Sequence, residues 1–532
     1  MKKWHYPLIV FFFLGLYVWE MGFTSATLGT TVIDGYLLFY GLTFLLAVAF
    51  LGRPPDLKSV KSNLKWLGFF DRAGSRSFRI VCLLSLFSFF LWTLVFIAKH
   101  HSFHTGIVDS GVYSNIVSNS SHGRWFYSSH YYINALGEHF SPITLVFVPL
   151  FWIHPSLLWL LTAQAAAVTV CPVILYFIAR EVIKDEKLAD RVSLIAAILW
   201  LAFPSLINAL NAGFHPSTLA PPFILFAFLS LVRNRMGWFW TVMVFLLLFK
   251  ENLALVWVGF GLYAFLVLKR KRLGMALVVL GGIWGIAVVK WVIPYFRGFA
   301  WAHPQRIGPV DFIGLKVKYL LVYLLLPLGF LSLVHWRASL LTLPPVLLNL
   351  SVKYQAQFSG HYQYDDVIVP LLFISALHGI VKLKDLAVSR KIVKVSARYA
   401  FVWLLIPLGF SLFYPLGHLA WYFPDKTRLA VMDELDRVKR QWPDQKIHFQ
   451  YALGTHLNLR RQVDVLKGDW KSWSFEKGEL IVLAPVLKKY NVSDYFKIDD
   501  YPSALEHFEK NKNSKYGRVD ESFHFLYVYE VL

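Results

Sequence analysis

The segment that decides the fold is FRIVCLLSLFSFFLWTLVFIAKHHSFHTGIVDSGVYSN, residues 78–115. It begins with an apolar run, 78–98, that matches the roughly 20 residues needed to cross the hydrocarbon core of a bilayer. The run is followed within about ten residues by a polar stretch in which Asp109 lies between two nearby glycines. The segment therefore predicts a membrane helix followed by a polar loop at the membrane boundary.

Similar apolar runs recur along the first 420 residues, and 57% of the chain is hydrophobic while only 16% is charged. This composition is typical of an integral membrane protein and argues against a soluble enzyme. The first run, MKKWHYPLIVFFFLGLYVWE, is expected to remain as a transmembrane helix, because no clear small-residue cleavage site follows it. The runs predict about 13 transmembrane helices: 6–23, 32–51, 78–98, 156–179, 191–210, 217–233, 236–249, 252–269, 273–294, 317–334, 338–350, 366–383 and 398–417.

The net charge of +21 suggests a nucleic-acid partner until its distribution is considered. From residue 417 onward 18 Lys/Arg face 17 Asp/Glu, so nearly all of the excess lies in the membrane region, and no nucleic-acid partner is expected. Alternate loops hold about 26 Lys/Arg on one side and about 8 on the other. Because basic loops stay in the cytoplasm, we expect a multi-pass protein of the plasma (inner) membrane with a cytoplasmic amino terminus and an extracytoplasmic carboxyl-terminal region.

The predicted fold class is an all-α polytopic membrane protein with a small C-terminal extracytoplasmic α/β domain. Residues 1–77 would hold two additional transmembrane helices and a basic cytoplasmic loop, and residues 78–418 the membrane core with an outer loop at 99–155. Residues 419–532 would form the soluble domain. There TRLAVMDELDRVKRQWP predicts an amphipathic helix that ends at Pro443, and KIHFQYAL, GELIVLAP and FHFLYVYEVL predict strands.

Unusual polar residues are expected at the outer boundary of the membrane in this topology. Ionisable side chains near hydrocarbon depth are costly unless they are paired or hydrated, so they are functional candidates. Four segments beside the aspartate stretch contribute them, and the complete set is Asp109, Arg124, Glu138, His139, His215, Lys250, Glu251, Lys353, His361, Tyr362, Asp365 and Asp366.

Each candidate also has a structural interpretation. Asp109 would cap a short interfacial helix, VYSNIVSNSSHG, since aspartate satisfies free N–H groups at a helix start. Lys250 and Glu251 would mark a helix break and neutralise each other. Asp365 and Asp366 are best interpreted as the solvated start of a helix. The convergence of five segments on one side favours a site over these separate explanations.

Carboxylates in such a cluster act as general bases on a hydroxyl group or hold a divalent cation. Lysine, arginine and histidine neutralise a phosphate at the membrane surface. A substrate that is half lipid and half phosphate-linked therefore fits a site at this depth, although these residues do not by themselves specify a sugar.

The motifs along residues 78–383 carry a resemblance to a known family. In order they are FHTGIVDSGVYSN, SHGRWFYSS, LGEHFSPITLVFVPLFWIHPS, NAGFHPSTLAPP, LLLFKENLAL followed by KRKRLG, and SGHYQYDDVIVPLL. With these motifs the chain resembles the membrane proteins of domain of unknown function family 2079, which are placed in the superfamily of integral-membrane glycosyltransferases with the GT-C fold.

The resemblance implies a GT-C architecture and an inverting transfer of a sugar from a polyprenyl-phosphate donor in the lipid bilayer to an unknown acceptor outside the cytoplasm. It also implies a divalent cation, Mg or Mn, in some members. Asp109 would be the base or a metal-linked carboxylate, with Glu138 and His139 as catalytic neighbours in the same loop. The substrate-binding residues would be Arg124, His215, Lys250, Glu251, Lys353, His361 and Tyr362.

Two other classes of function remain open from the sequence. A transporter or flippase of lipid-linked anionic substrates would place charged residues along a path across both leaflets. An inactive scaffold would use its outer domain to bind a partner. The grouping of candidates near one leaflet favours the enzyme.

Overall fold

The computed structural model describes residues 76–299, 307–308, 311–390, 421–460, 462–466, 473–490, 501–519 and 522–532. The expected spans 6–23, 32–51 and 398–417, and nearly all of the predicted N-terminal segment 1–77, lie outside the described residues. Helices dominate the described ranges up to residue 390, whereas most of the strands lie after residue 421.

Four helical stretches in the described ranges are long and apolar enough to cross a membrane: Arg76–His101, Leu157–Val182, Glu186–Ala212 and Lys271–Arg297. They overlap the expected spans 78–98, 156–179, 191–210 and 273–294. Two of them begin at side-chain caps, because Ser156 Oγ accepts from the N–H of Leu158 at 3.2 Å and Asp185 Oδ1 accepts from the N–H of Leu188 at 3.0 Å. The total of 13 spans stays a prediction.

The helices up to residue 390 include several that prolines and glycines interrupt. The expected span 317–334 is not one α-helix, because Pro327 removes a backbone donor and Gly329 takes a left-handed conformation with φ 54°. The α-helices of this region are α1 (Arg76–His101), α2 (Val112–Ser121), α3 (Val148–Ile153), α4 (Leu157–Val182), α5 (Glu186–Leu201), α6 (Pro204–Ala212), α7 (Pro221–Val232), α8 (Met236–Leu246), α9 (Ala254–Leu266), α10 (Lys271–Ala287), α11 (Ile293–Arg297), α12 (Ile313–Lys318), α13 (Leu331–Val334), α14 (Trp336–Ser339), α15 (Leu343–Ser351) and α16 (Val369–Arg390).

One apolar cluster joins these helices, with large side chains such as Tyr176 and Trp200 fully buried where α4 packs on its neighbours. The opposite arrangement holds on α10, where Val279, Ile283 and Ile286 are 50%, 60% and 55% exposed. Their spacing places them on one face of the helix. An exposed apolar face of this kind is the surface that a membrane helix presents to lipid.

The region after residue 421 contains a five-stranded mixed sheet with the strand order β4 (Val463–Val465), β3 (Ile447–Phe449), β5 (Leu480–Leu483), β7 (Tyr527–Val531) and β6 (Tyr516–Arg518). Pairs β3–β4 and β3–β5 are parallel, and pairs β5–β7 and β6–β7 are antiparallel. The predicted strands coincide with β3, β5 and β7, whereas β4 and β6 were not expected from the sequence. The described α-helices of this region are α17 (Lys426–Gln441), α18 (Gly454–Leu457) and α19 (Tyr501–Lys510). A small hairpin, β1 (Tyr127–Ser128) and β2 (Ile133–Asn134), lies earlier, in the loop 99–155.

The helix α17 begins at Asp425, whose side chain accepts from the N–H of Arg428 at 2.8 Å, and ends before Pro443 as the sequence predicts. Its apolar residues pack under the sheet. Two residues of the outer loop, Phe103 and Ile107, are buried in that same apolar cluster, at 4% and 2% exposure. The hydrophobic core of the C-terminal region therefore includes residues from the loop that follows α1, and the predicted domain boundary at residue 419 stays a prediction.

Candidate functional site

Asp109 lies in a tight turn between α1 and α2, Ile107–Gly111, which we call the aspartate turn. Its backbone angles, φ 61° and ψ −79°, are rare for a residue with a side chain and cost about 1–3 kcal/mol. The N-cap of α2 is Gly111, and no side chain caps this helix start. The interpretation of Asp109 as a helix cap is therefore excluded, and a strained backbone at a carboxylate favours a functional role.

The turn that follows α6 packs against the aspartate turn. Ser110 Oγ accepts a hydrogen bond from the N–H of Phe214 at 2.9 Å. A Cβ on Gly213, whose φ is 127°, would lie 2.6 Å from that same oxygen, so only glycine fits here. Gln164 on α4 fixes this turn, because its Oε1 accepts from the N–H of His215 at 2.9 Å and its Nε2 donates to the carbonyl of Gly213 at 3.0 Å. The sequence NAGFHP thus delivers its histidine to the aspartate.

Asp109 and His215 are in contact, with 3.2 Å between Oδ2 and Nε2. The His215 side chain is only 3% exposed, whereas that of Asp109 is 42% exposed. Burial raises the pKa of Asp109, but the charges of His215, Lys250 and His139 together outweigh it, so the pKa lies below its ordinary value. The carboxylate is therefore ionised at neutral pH, and part of it is accessible to solvent although one oxygen contacts His215.

The motifs GEHFSP and KEN meet at Glu251. His139 Nδ1 lies 2.9 Å from Glu251 Oε1, and the N–H of Phe140 donates to Oε2 at 3.1 Å. Lys250 precedes this carboxylate in an extended conformation between α8 and α9, and both residues are 8% exposed. The pair does mark a helix break, and it also faces the aspartate, since Lys250 and His139 both act electrostatically on Asp109.

Glu138 has a cationic partner, whereas its neighbour His139 contacts the carboxylate of Glu251. It forms an ion pair with Arg297 on α11, with side chains 28% and 16% exposed. Asp109 and Glu138 both act electrostatically on Tyr131, because burial and then the charges of these two carboxylates raise its pKa to about 12. Glu138 thus lies at the edge of the site with a cation of its own, and neither Tyr131 nor Arg297 was singled out from the sequence.

Arg124 and Lys353 each contact a side chain outside the group around Asp109. The Arg124 guanidinium lies 3.9 Å from the centre of the Tyr127 ring. Lys353 Nζ is 4.0 Å from Asp311 Oδ2, and both side chains are about half exposed, at 48% and 49%. These contacts do not test a role toward a donor phosphate, so the roles of both residues stay predictions.

His361 and Tyr362 are exposed. His361 Nδ1 lies 3.4 Å from the amide nitrogen of Asn208, and its Nε2 lies 3.4 Å from the hydroxyl of Tyr323. Tyr362 is 44% exposed. The structure does not bring either of them into contact with Asp109, and their roles in substrate binding also stay predictions.

The expectation that Asp365 and Asp366 form a solvated helix start is wrong. They are 1% and 0% exposed, because α16 begins only after them and the preceding turn is packed among other helices. Asp366 Oδ2 accepts hydrogen bonds from the hydroxyls of Ser217 and Thr218, and Lys250 is the cation in electrostatic range. The pair of hydroxyl residues in NAGFHPST is a sequence feature that could have indicated hydrogen-bonding partners for a buried carboxylate.

The described residues do not fit a tightly bound divalent cation. No three His, Cys, Asp or Glu side chains among them form a group that could hold a metal. Asp109 is the one carboxylate of its turn, and one of its oxygens already contacts His215 while the charge of Lys250 is in range. The other carboxylates near it, Glu138 and Glu251, are already engaged with Arg297 and His139, so no step of the chemistry is assigned to a metal here.

A family model described as predicted membrane protein (DUF2079) matches residues 99–420. The match covers more than half of the 532 residues. The chain belongs to this family. The resemblance drawn from the motifs in residues 78–383 is thereby confirmed. A search among curated proteins gives no match.

The fold of this DUF2079 protein is similar to that of ArnT from Cupriavidus metallidurans, a glycosyltransferase with the GT-C fold. The crystal structure of ArnT in the apo state aligns with a TM-score of 0.50 and 14% identity, over 86% of this chain and 98% of ArnT. The crystal structure of ArnT bound to undecaprenyl phosphate aligns with a TM-score of 0.49 and 13% identity, over 84% of this chain and 97% of ArnT. At this identity the apo alignment establishes likeness of fold, and the expected GT-C-like architecture is confirmed.

Proposed function

We propose that this DUF2079 protein is an inverting glycosyltransferase that moves a sugar from a polyprenyl-phosphate donor to an acceptor hydroxyl on the outer face of the plasma membrane. One observation carries the proposal: a strained turn holds the ionised carboxylate of Asp109 against buried His215 and within electrostatic range of buried Lys250. The fold shared with apo ArnT supports the reaction class. Because ArnT has also been crystallised with undecaprenyl phosphate, we take this lipid class as the donor.

In the proposed reaction Asp109 accepts the proton of the acceptor hydroxyl as the acceptor oxygen attacks the anomeric carbon of the sugar. The attack comes from the face opposite the phosphate, and the bond between the anomeric carbon and the phosphate oxygen breaks. The bonding electron pair leaves with the polyprenyl phosphate. A new glycosidic bond forms with inverted configuration, and Asp109 is left protonated.

Lys250 is placed to neutralise the phosphate of the donor. It is 8% exposed, and no hydrogen-bond or ion-pair partner for its ammonium group lies among the described residues. A buried ammonium group is costly without a counter-charge in contact, and an anionic ligand supplies one. The bound phosphate would also offset the charge of Lys250, which lowers the pKa of Asp109 in the free protein. Donor binding therefore raises that pKa and makes the carboxylate a stronger base.

The orientation follows from the loops. The excess of Lys/Arg in the loops opposite the site supports a cytoplasmic position for those loops. The aspartate turn and the C-terminal sheet, which share a core, would then both lie outside the cytoplasm.

The test begins with mass spectrometry of lipids that co-purify with the protein. The polyprenyl-phosphate sugar identified there is then used as the donor in proteoliposomes, with transfer followed by liquid chromatography. We expect Asp109→Asn to lower the rate by about 10²- to 10⁴-fold, because it keeps the shape and removes the base. Asp311→Asn, which changes a half-exposed carboxylate outside the site, is the matched control and should retain the rate.

Full transfer by Asp109→Asn would refute the assignment of the base. Movement of the lipid between leaflets by the wild-type protein, with no sugar transferred to any acceptor fraction, would instead favour the flippase.

A further inference from the structure

We infer that residues 451–459, YALGTHLNL, hold the aspartate turn in its strained conformation, with Asn458 as the main positioning residue. We call this stretch the clamp segment. It belongs to the C-terminal region and directly follows β3. The catalytic consequence of this inference rests on the proposed function, whereas its structural content does not.

Asn458 fixes the exit of the aspartate turn. Its Nδ2 donates to the carbonyl of Gly111 and, at 2.9 Å, to the hydroxyl of Ser114. Its own backbone carbonyl accepts from Asn115 Nδ2 at 2.7 Å. Asn458, Ser114 and Asn115 are each 0% exposed. One buried side chain therefore ties the last residue of the turn to the first turn of α2.

The clamp segment also fixes the entry to the turn. The hydroxyl of Thr455 donates to the carbonyl of Thr105 at 3.0 Å, and the two hydroxyl oxygens lie 2.8 Å apart. A Cβ on Gly454 would come within 2.6 Å of the Ile107 side chain, so the two segments are in close contact. These contacts flank Asp109 on both sides and leave its carboxylate directed to His215.

A strained backbone persists only where the surrounding structure over-determines it. The aspartate turn is held both by the turn at Gly213, which Gln164 fixes, and by the clamp segment. Gly111 and Asn458 are 347 positions apart in sequence. The C-terminal region therefore completes the conformation of a loop that follows the first described membrane helix, and positions its carboxylate without contacting it.

The first test is hydrogen–deuterium exchange of the full-length protein, followed over residues 107–115. We expect Asn458→Ala to speed exchange in this stretch by about tenfold or more, since the turn loses buried hydrogen bonds. Thr455→Val is a nearly isosteric change and should also speed exchange in this stretch. It serves as the test variant if Asn458→Ala folds poorly. The matched control is Asn511→Ala, which removes a hydrogen bond of 2.8 Å to the carbonyl of His507 in the same region of the chain.

The second test is kinetic. With the polyprenyl-phosphate sugar as donor, Asn458→Ala should lower kcat by about 10- to 100-fold and change KM for the donor less than about twofold, because misplacement of a catalytic group acts on the chemical step. In an Asp109→Asn background the same change should have no further effect.

The outcomes are separable. Unchanged exchange at residues 107–115 in folded Asn458→Ala and Thr455→Val overturns the inference whatever the activity. Faster exchange that extends equally to β5 and β7 also overturns it, because the role is then general stability. If the wild-type protein transfers no sugar while exchange changes as expected, the proposed function fails and the positioning inference stands.

Discussion

Replacing Lys250 with methionine removes a buried ammonium group and keeps an unbranched apolar side chain. Lys250 is 8% exposed and has no hydrogen-bond or ion-pair partner among the described residues, so its charge is available to a ligand. A hydrogen bond to a charged group contributes about 1.5–3 kcal/mol. This corresponds to about a 10- to 150-fold change in Kd, and we expect the affinity for undecaprenyl phosphate to fall by that factor in Lys250→Met.

The assay is the shift in Tm of the purified protein as undecaprenyl phosphate is titrated, because a ligand of the folded state stabilises it according to its Kd. Lys353→Met is the matched control. The sequence assigned both lysines to substrate binding, but Lys353 is 48% exposed and lies 4.0 Å from Asp311, and exposed pairs contribute only about 0–1 kcal/mol. The affinity of Lys353→Met for undecaprenyl phosphate should stay within about twofold of the wild-type value. Lys250→Arg keeps the charge and separates its loss from a change in packing.

Wild-type affinity in Lys250→Met, or an equal loss in Lys353→Met, would refute the assignment of the phosphate to the buried lysine. The pH profile gives a second readout. Lys250 is one of the groups that lower the pKa of Asp109, so its removal raises that pKa. The proposed transfer requires the ionised carboxylate, and as pH falls Lys250→Met should therefore lose activity at a higher pH than the wild-type protein.

Three further outcomes are expected. Glu251→Gln should lower the free energy of unfolding by about 1–3 kcal/mol in chemical denaturation, because Glu251 is 8% exposed and accepts from both His139 and the N–H of Phe140. Burial and the neighbouring His100 hold the pKa of His456 well below 6.5, so its neutral form stabilises the fold above that pH and the contribution is lost as pH falls; the fall in Tm on acidification should be smaller in His456→Phe. Transfer should stay within about twofold after treatment with EDTA and show no dependence on added Mg or Mn, since the donor set around the carboxylate does not fit these ions.

Hydrophobic length predicted the long helices well. The run at 156–179 became Leu157–Val182, and GELIVLAP contains the strand Leu480–Leu483. The expected span 317–334 is not one continuous α-helix, because Pro327 and the left-handed Gly329 interrupt an apolar run, and hydropathy does not register backbone conformation. The strands β4 and β6 were missed because they lie in mostly polar sequence, RQVDVLKGD and NSKYGRVDE, whereas β3, which is equally short, lies in the more apolar KIHFQYAL.

The candidate site was partly accessible from the sequence. Topology placed the segments of Asp109, His215 and Lys250 on one side, and the structure brings these residues together. The sequence could not reveal that Glu138 pairs with Arg297, since the partner lies about 160 positions away. The sequence also could not show that the Asp366 carboxylate is buried, because burial depends on tertiary contacts that no local pattern encodes.

The site residues form a buried group and a more exposed group, and each group suits a different part of the proposed reaction. His215 and Lys250 are 2% and 8% exposed, which suits them to a phosphate whose lipid tail stays in the bilayer. Asp109 is 42% exposed and His139 24%, which leaves them open to an acceptor that arrives from water. In the proposed displacement the nucleophile and the leaving phosphate lie on opposite sides of the anomeric carbon, and a partly exposed carboxylate near a buried ammonium group suits that arrangement.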